Sequence, residues 1–155
     1  MVKVIKSKYA GSGKEGDFSW MIEQPHHERT LFIFNDNEGQ FYDHFNGGNH
    51  RCSAGGGNAG IREYQCAPHE RATGIPTGSY LDVRHSKGYK VFDDHVKKVL
   101  TDAFTQLESL LKSGRFDAVV FSWDEKTKLG GYIFDAAQPI RDYIVENIIA
   151  IAERN

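Results

Sequence analysis

The sequence predicts an α/β domain, and three features support that prediction. Two continuous apolar runs, "TLFIF" (30–34) and "DAVVF" (117–121), are typical of strands buried on both faces of a sheet. Residues 89–114 have apolar side chains three or four positions apart, which is the spacing of an amphipathic helix. Each apolar run is followed by a glycine-containing loop and later by a helical pattern. This order of strands and helices is typical of α/β proteins.

Three strands are predicted in the first half of the chain. Residues 2–9 mix apolar residues with lysines and fit an edge strand, because lysines discourage pairing with another chain. Residues 17–24, "DFSWMIEQ", are aromatic and apolar enough for a second strand, and 30–34 form the third. A polar, glycine-rich passage over 35–58 contains no predicted element. It leads into a short predicted helix at 59–65.

The second half begins with a short predicted strand at 72–78 that ends in a turn. The amphipathic helix of 89–114 follows it, and residues 116–122 form another buried strand. Residues 123–135, "WDEKTKLGGYIFD", are predicted to be a loop, which we call the second glycine loop. A closing helix is expected over 137–154, with a proline in its first turn.

The bulk composition fits a single domain over residues 1–155. A net charge of −2 predicts no general basic surface for nucleic acid. No apolar run is long enough to span a bilayer, and the amino-terminal residues lack the apolar block of a secretory signal. The two cysteines, Cys52 and Cys66, do not form a disulfide scaffold in this interpretation, which favours a reduced, cytoplasmic setting.

Residues 53–60, "SAGGGNAG", form what we call the first glycine loop. A bare backbone just before a helix presents unpaired N–H groups and a positive dipole end, which suit phosphate. A flexible surface loop is the alternative. If the apolar strands before the two glycine loops are parallel neighbours, both loops face one crevice beyond the sheet. The candidate contacts to the ligand in the first loop and its helix are Gly55, Gly56, Gly57, Asn58, Ala59, Gly60 and Ile61.

Several segments together resemble macrodomains, the ADP-ribose-binding family. "FIFNDN" (32–37) followed by "GGGNAGIREY" (55–64) resembles the family's first ligand loop, and "ATGIPTG" (72–78) resembles the strand under the site. Residues 116–135 resemble the late strand and the loop that wraps the diphosphate. The pattern is most similar to divergent macrodomain-like proteins of bacteriophage genomes, and it covers roughly residues 17–153.

The resemblance implies a three-layer α/β/α fold with a mixed central sheet. It implies binding of ADP-ribose or a related NAD-derived nucleotide in the host cytoplasm if the protein is phage-encoded. It also implies hydrolysis of an ADP-ribosyl ester, or of the terminal phosphate of ADP-ribose 1″-phosphate. No cofactor and no metal are predicted, and the oligomeric state stays open.

The resemblance makes Asn35 and Asn37 the candidates that bond ribose hydroxyls and orient a water molecule, and an Asx-turn is the alternative. Asp36 lies between them and is expected to point the other way. It is nevertheless a candidate general base, because a base needs only to reach the water. No nucleophile motif, Walker loop or metalloprotease motif is present, so the chemistry would depend on positioning and electrostatics.

The remaining candidates are assigned to the walls of the crevice. Arg62 would pair with phosphate or lie solvated on its helix. Glu23 would accept a hydrogen bond from an adenine amino group or lie solvated at a strand end. Phe134 would stack on a ring of the ligand or belong to the core. The wall formed by the second glycine loop consists of Gly130, Gly131, Tyr132, Ile133 and Phe134.

Two further hypotheses remain from the residues. His50, Cys52, Cys66 and His69 have side chains suited to zinc, although the His-x-Cys spacing is uncommon in structural sites. His26 and His27 are interpreted as surface residues. The charged segment "WDEKTK" motivates an alternative function, a non-catalytic protein-interaction module on the same fold, in which those charges would occlude the crevice or contact a partner.

Overall fold

The computed structural model describes residues 1–47, 52–131 and 133–155. These residues form an α/β fold around a five-stranded, mostly parallel sheet. The strands are β1 (Lys3–Ser7), β2 (Thr30–Asn37), β3 (Ala72–Gly78), β4 (Ala118–Asp124) and β5 (Lys128–Leu129). The α-helices are α1 (Phe18–Met21), α2 (Glu38–Phe45), α3 (Asp94–Lys112) and α4 (Gln138–Glu153). Short 3-10 helices occupy Pro25–His27, Gly57–Gln65 and Val83–His85.

Four parallel strands stand in the order β1-β4-β2-β3, and β5 pairs antiparallel with the end of β4. The two apolar strands of the sequence prediction, β2 and β4, are therefore parallel neighbours, with Leu31 opposite Val119. Because both run in the same direction, the loops that follow them leave the sheet at the same edge. The condition for a shared crevice is met.

Helices cover both faces of the sheet, which explains the continuous apolar sequence of β2. Leu31 and Ile33 pack in the core cluster that contains α3 and α4. Phe32 and Phe34 point to the opposite face and pack with α1 and the 3-10 helix Gly57–Gln65. Because side chains on both faces of this strand are buried, polar and apolar residues do not alternate along it, and successive residues are apolar.

The two long helices confirm the sequence prediction. α3 begins after Asp93, whose side chain accepts a hydrogen bond from the N–H of Val96 at 2.9 Å. Its buried stripe runs from Val96 to Leu111 at the predicted three-four spacing. α4 has Pro139 in its first turn, where a backbone N–H would make no intrahelical hydrogen bond, so the proline costs none.

Two predictions about the first half of the chain were wrong. Residues 17–24 are not a strand, because Asp17 caps α1 by accepting from the N–H of Ser19, and Phe18 and Met21 bury one helical face. The polar passage after β2 contains α2, whose single fully buried residue is Phe41. One apolar anchor gives too weak a periodic pattern to be detected from the sequence.

The expectation that the cysteines do not form a disulfide was also wrong. Cys52 and Cys66 are joined by a disulfide across 14 residues, with their Cα atoms 6.1 Å apart. The first glycine loop lies entirely inside the span that this bond closes. Among the described residues, no helix has the length and apolar character needed to cross a membrane.

Candidate functional site

A cavity of about 620 Å³ opens at the carboxyl ends of the parallel strands. Its walls come from the ends of β2, β3 and β4, from the first glycine loop and from the second glycine loop. This volume is within the range of small-molecule sites, and the position is where open α/β sheets bind ligands. It is therefore the candidate functional site.

Most of the site residues expected from the sequence border this cavity. Those that line it are Asn35, Asp36, Asn37, Gly55, Gly56, Gly57, Asn58, Ala59, Arg62, Gly131, Ile133 and Phe134. Four others, Glu23, Gly60, Ile61 and Gly130, are not among its lining residues. Tyr132 lies outside the described residues.

The first glycine loop presents its backbone to the cavity. Gly56 precedes the 3-10 helix that begins at Gly57, and N–H groups in a first helical turn have no intrahelical partner. A Cβ added at Gly56 would meet only the Cδ1 atom of Ile133, at 3.5 Å, so the space there is open. Gly57 has a φ of +58°, a left-handed conformation that glycine adopts without strain. A side chain at either position would project into space that a ligand can use.

Arg62 fixes this loop to the sheet through a buried ion pair. Its Nη2 atom donates to Oδ1 of Asp36 at 2.5 Å, and its Nη1 atom donates to the carbonyl of Ser53 at 2.9 Å. The Arg62 side chain is only 2% exposed. A Cβ at Gly55 would lie 2.7 Å from Nη1 of Arg62, so the loop needs a glycine there. Arg62 is thus not a solvated helix residue, and its two terminal nitrogens already donate to protein acceptors.

Asp36 is among the residues that border the cavity, but its side chain is completely buried. Burial raises the pKa of its carboxyl group, and the Arg62 guanidinium opposes that rise. Its Oδ1 atom accepts from Arg62 and from the N–H of Asn37, whereas Oδ2 has no hydrogen-bond partner among the described residues. A Cβ at Gly74 would lie 2.6 Å from Oδ2. Oδ2 is therefore buried against the backbone of β3.

The two asparagines flanking Asp36 both contact protein groups. Asn35 donates from Nδ2 to the carbonyl of Gly130 at 2.6 Å, which joins β2 to the second glycine loop. Asn37 caps α2, because its Oδ1 atom accepts from the N–H of Gln40 at 2.9 Å. Its Nδ2 atom donates to the side chain of the same glutamine. Asn37 is therefore the N-cap of a helix that the sequence analysis did not predict, and a role with a ligand would be additional.

Two aromatic rings form one side of the cavity. Phe134 is 6% exposed and its ring centroid lies 4.9 Å from that of Tyr80, with the planes inclined by 43°. Tyr80 is 63% exposed and Ile133 is 58% exposed. Phe134 is therefore a buried support, while Tyr80 and Ile133 supply the accessible apolar surface.

Sequence reasoning missed several cavity residues, which are Tyr9, Asp17, Gln40, Thr77, Tyr80 and Ser122. Asp17 is the most informative, because it places a carboxylate at the cavity, whereas Glu23 is exposed beyond α1. Its Oδ atoms accept from the N–H groups of Gly13 and Ser19. An Asp just before a helix is a capping signal, and that signal was lost when the segment was assigned to a strand.

The charged segment of the second glycine loop forms a hairpin outside the cavity. β4 turns back into β5, and the side chain of Asp124 accepts from the N–H of Lys126 within the turn. Trp123 lies between Lys6 and Lys128, whose ammonium groups are 4.2 and 5.5 Å from the indole ring. None of residues 123–130 lines the cavity. The hairpin charges therefore do not occlude it.

The disulfide removes the two thiolates that the proposed zinc site of His50, Cys52, Cys66 and His69 would need. Cys52 and Cys66 are disulfide-bonded, and a disulfide sulfur is not a thiolate ligand. His50 lies outside the described residues, and the ring of His69 packs against Tyr64 at 4.7 Å.

No family model, curated protein or solved structure matches the chain. The fold alone does not specify an activity, since one architecture carries many functions. The function is therefore argued from the chemistry of the cavity.

Proposed function

We propose that the cavity binds ADP-ribose or a related NAD-derived nucleotide, on a three-layer α/β/α fold of the macrodomain-like type. The observation that carries this proposal is the first glycine loop. It borders the cavity with a side-chain-free backbone at the start of a helical turn, which is an arrangement suited to phosphate oxygens. The helices on both faces of the sheet are compatible with three layers.

The charge around the cavity favours backbone recognition of phosphate. Arg62 and Asp36 are paired with each other, so they leave no net charge for a ligand. Phosphate oxygens would instead accept from the N–H groups of Gly56, Gly57 and Asn58. Backbone N–H groups can bind an anion without a charged lysine or arginine side chain at the site.

The rest of the cavity suits the remaining parts of a nucleotide. Asp17 would accept a hydrogen bond from the exocyclic amino group of adenine, the role that the sequence analysis gave to Glu23. The exposed ring of Tyr80 and the side chain of Ile133 would contact the flat, apolar faces of the ligand. Asn35 and Asn37 stand at the end of β2, where the distal ribose would lie if the phosphates occupy the glycine loop.

Turnover of an ADP-ribose derivative is the second part of the proposal. Water attack on ADP-ribose 1″-phosphate or on an ADP-ribosyl ester would use Asn37 to align the water or the ribose hydroxyl. Asp36 is the candidate base that would take the proton of the water, because it borders the cavity at the end of β2.

An interaction module without catalysis is the alternative. Tyr80 lines the cavity, and Leu81 and Val83 follow it closely in the chain; the three residues are 63, 78 and 87% exposed. Clustered exposed apolar residues often mark protein contacts. In this alternative the protein keeps the fold, has lost the nucleotide ligand and contacts a protein partner.

Isothermal titration with ADP-ribose tests the binding proposal, and AMP and ribose 5-phosphate serve as partial ligands. We expect saturable binding of ADP-ribose that is tighter than binding of either fragment, because the whole nucleotide would make contacts that each fragment lacks. No heat with ADP-ribose, its 1″-phosphate or cyclic derivatives would refute it. Measuring the release of phosphate or ADP-ribose then distinguishes a hydrolase from a protein that only binds the nucleotide.

A cytoplasmic location, where such nucleotides are abundant, belongs to the same proposal.

A further inference from the structure

A histidine and carboxylate cluster joins the segments before and after α1, and its residues do not line the cavity. It consists of Glu15, His26 and His27. The sequence analysis interpreted the two histidines as surface residues, which is wrong for His27, because it is buried. Nε2 of His26 is 2.7 Å from Oε1 of Glu15. Nε2 of His27 is 3.1 Å from both carboxylate oxygens. We propose that these three side chains form a binding site for a zinc-like divalent cation.

The orientation of His27 supports a ligand role. Its side chain is only 8% exposed, and its Nδ1 atom lies 3.4 Å from the hydroxyl oxygen of Thr30. When Nδ1–H donates to that hydroxyl, Nε2 carries a lone pair aimed at a carboxylate, which is also an acceptor. In this tautomer, a cation between Nε2 and the carboxylate would satisfy both acceptors. A second partner on the far nitrogen is also the usual arrangement of a metal-binding histidine.

The spacing of the donor atoms fits a small tetrahedral site. Zinc bonds of about 2.0–2.1 Å to nitrogen and oxygen separate neighbouring ligand atoms by roughly 3.3 Å. The observed separations of 2.7 and 3.1 Å need only a slight opening. The planes of His26 and His27 are inclined by 41°, so their in-plane lone pairs can converge. Two imidazoles and one carboxylate would leave the fourth position to water.

The backbone that carries these ligands is held in place. Nη2 of Arg71 donates to the carbonyls of Ile22 and His27, at 2.7 and 3.4 Å. On the other side, the turn containing Glu15 packs through Gly16 against the backbone of Lys8. A bound cation would therefore join two fixed segments on either side of α1.

A second cluster, Glu38, His85 and His95, has the same residue types but a less suitable geometry. Its histidine rings are parallel within 4°, with centroids 5.7 Å apart, so one ion cannot lie in both ring planes. Glu38 already accepts from the hydroxyl of Tyr89 at 2.7 Å. This cluster is the natural comparison for the proposed site.

The test uses tag-free, chelator-treated full-length protein titrated with ZnCl₂ in competition with a chromophoric chelator. We expect Glu15→Gln and His26→Gln each to weaken Zn²⁺ binding by about tenfold or more. Both positions are more than half exposed, so these variants keep the fold. His69→Gln and His95→Gln, matched changes at other histidines, should bind Zn²⁺ as the wild type does.

Two additional readouts make the outcome decisive. Zn²⁺ should raise the melting temperature of the wild type but not of Glu15→Gln, because a ligand stabilises the state that binds it. Co²⁺ should give the visible absorption of a four-coordinate site in the wild type and lose it in His26→Gln. The proposal is overturned if the wild type does not bind Zn²⁺. It is also overturned if binding survives in Glu15→Gln and His26→Gln, or is lost instead in His69→Gln or His95→Gln.

Discussion

Nη2 of Arg62 lies 2.5 Å from Oδ1 of Asp36, and both side chains are almost completely buried. This ion pair joins the helix after the first glycine loop to the end of β2. The same arginine also holds the carbonyl of Ser53, at the start of the loop. One side chain therefore fixes the geometry of both segments that carry the expected ligand contacts.

Replacing this arginine should strongly destabilise the fold. Arg62→Met leaves the Asp36 carboxylate buried without its counter-charge, which costs about 3–5 kcal/mol. Urea unfolding followed by circular dichroism measures the change. Arg29→Met is the matched control, because it removes the exposed pair with Asp117 and should barely shift the unfolding midpoint. Equal effects from the two changes would contradict a structural role for the Arg62 pair.

Two substitutions at Asn37 separate its cap from any role in turnover. Asn37→Ala removes the side chain that caps α2 and should cost about 1 kcal/mol of stability. Asn37→Asp keeps the capping oxygen and the stability but loses the amide N–H groups. If the amide aligns the reacting groups, both variants slow phosphate release from ADP-ribose 1″-phosphate and leave binding nearly intact.

The opposite pattern would reassign the chemistry at this position. Normal turnover by Asn37→Ala together with an inactive Asp36→Asn variant that still folds, as judged by circular dichroism, would make the carboxylate the essential group. No release by the wild type from any such substrate would leave a binding protein.

The disulfide should contribute measurably to stability. Closing a loop of about 15 residues stabilises a fold by roughly 3 kcal/mol in the chain-entropy treatment, and Cys52–Cys66 closes one of this size. Unfolding in the presence of a thiol reductant should therefore occur at lower urea in the wild type. The Cys52→Ser/Cys66→Ser double variant should be insensitive to the reductant. A wild type whose unfolding is unaffected by the reductant would count against the bond.

Glu108 should make stability depend on acidic pH. Hydrogen bonds from Arg154 and Asn155 lower the pKa of Glu108 to about 2. Because its folded pKa is below the unfolded value, the stabilisation is present above about pH 4.5 and is lost as the pH falls towards 2. Glu108→Gln should thus melt below the wild type near neutral pH, and the difference should vanish in strong acid. Glu146→Gln, an exposed change on α4, should show no such pattern.

The sequence predicted the elements whose local pattern agrees with their packing. Five predicted elements contribute buried residues to the core, so their apolar residues in the sequence indicate where they pack; these elements are β2, β3, β4, α3 and α4. α1 and α2 were missed, because each depends on a cap and on one or two buried side chains. Capping geometry is local and leaves little trace in hydrophobic periodicity.

The sequence predicted those parts of the candidate site that depend on a local pattern and missed those that depend on the tertiary fold. Glycines before a helix are visible in the sequence, and Gly55, Gly56 and Gly57 do border the cavity. The pairing of Arg62 with Asp36 was not visible, because it joins residues 26 positions apart through the tertiary fold. Asp17 was overlooked because its segment was assigned to a strand.

The most direct test of the proposed function is a calorimetric titration of ADP-ribose into the wild type and a series at Gly56. This position has an ordinary φ of −79°, and a new side chain there faces open space, so Gly56→Ala and Gly56→Val should fold normally. We predict saturable binding to the wild type, weaker binding to Gly56→Ala, and loss of binding in Gly56→Val with an unchanged melting temperature. Undiminished binding by a folded Gly56→Val variant, or no binding by the wild type, would contradict the proposal that the first glycine loop holds the nucleotide.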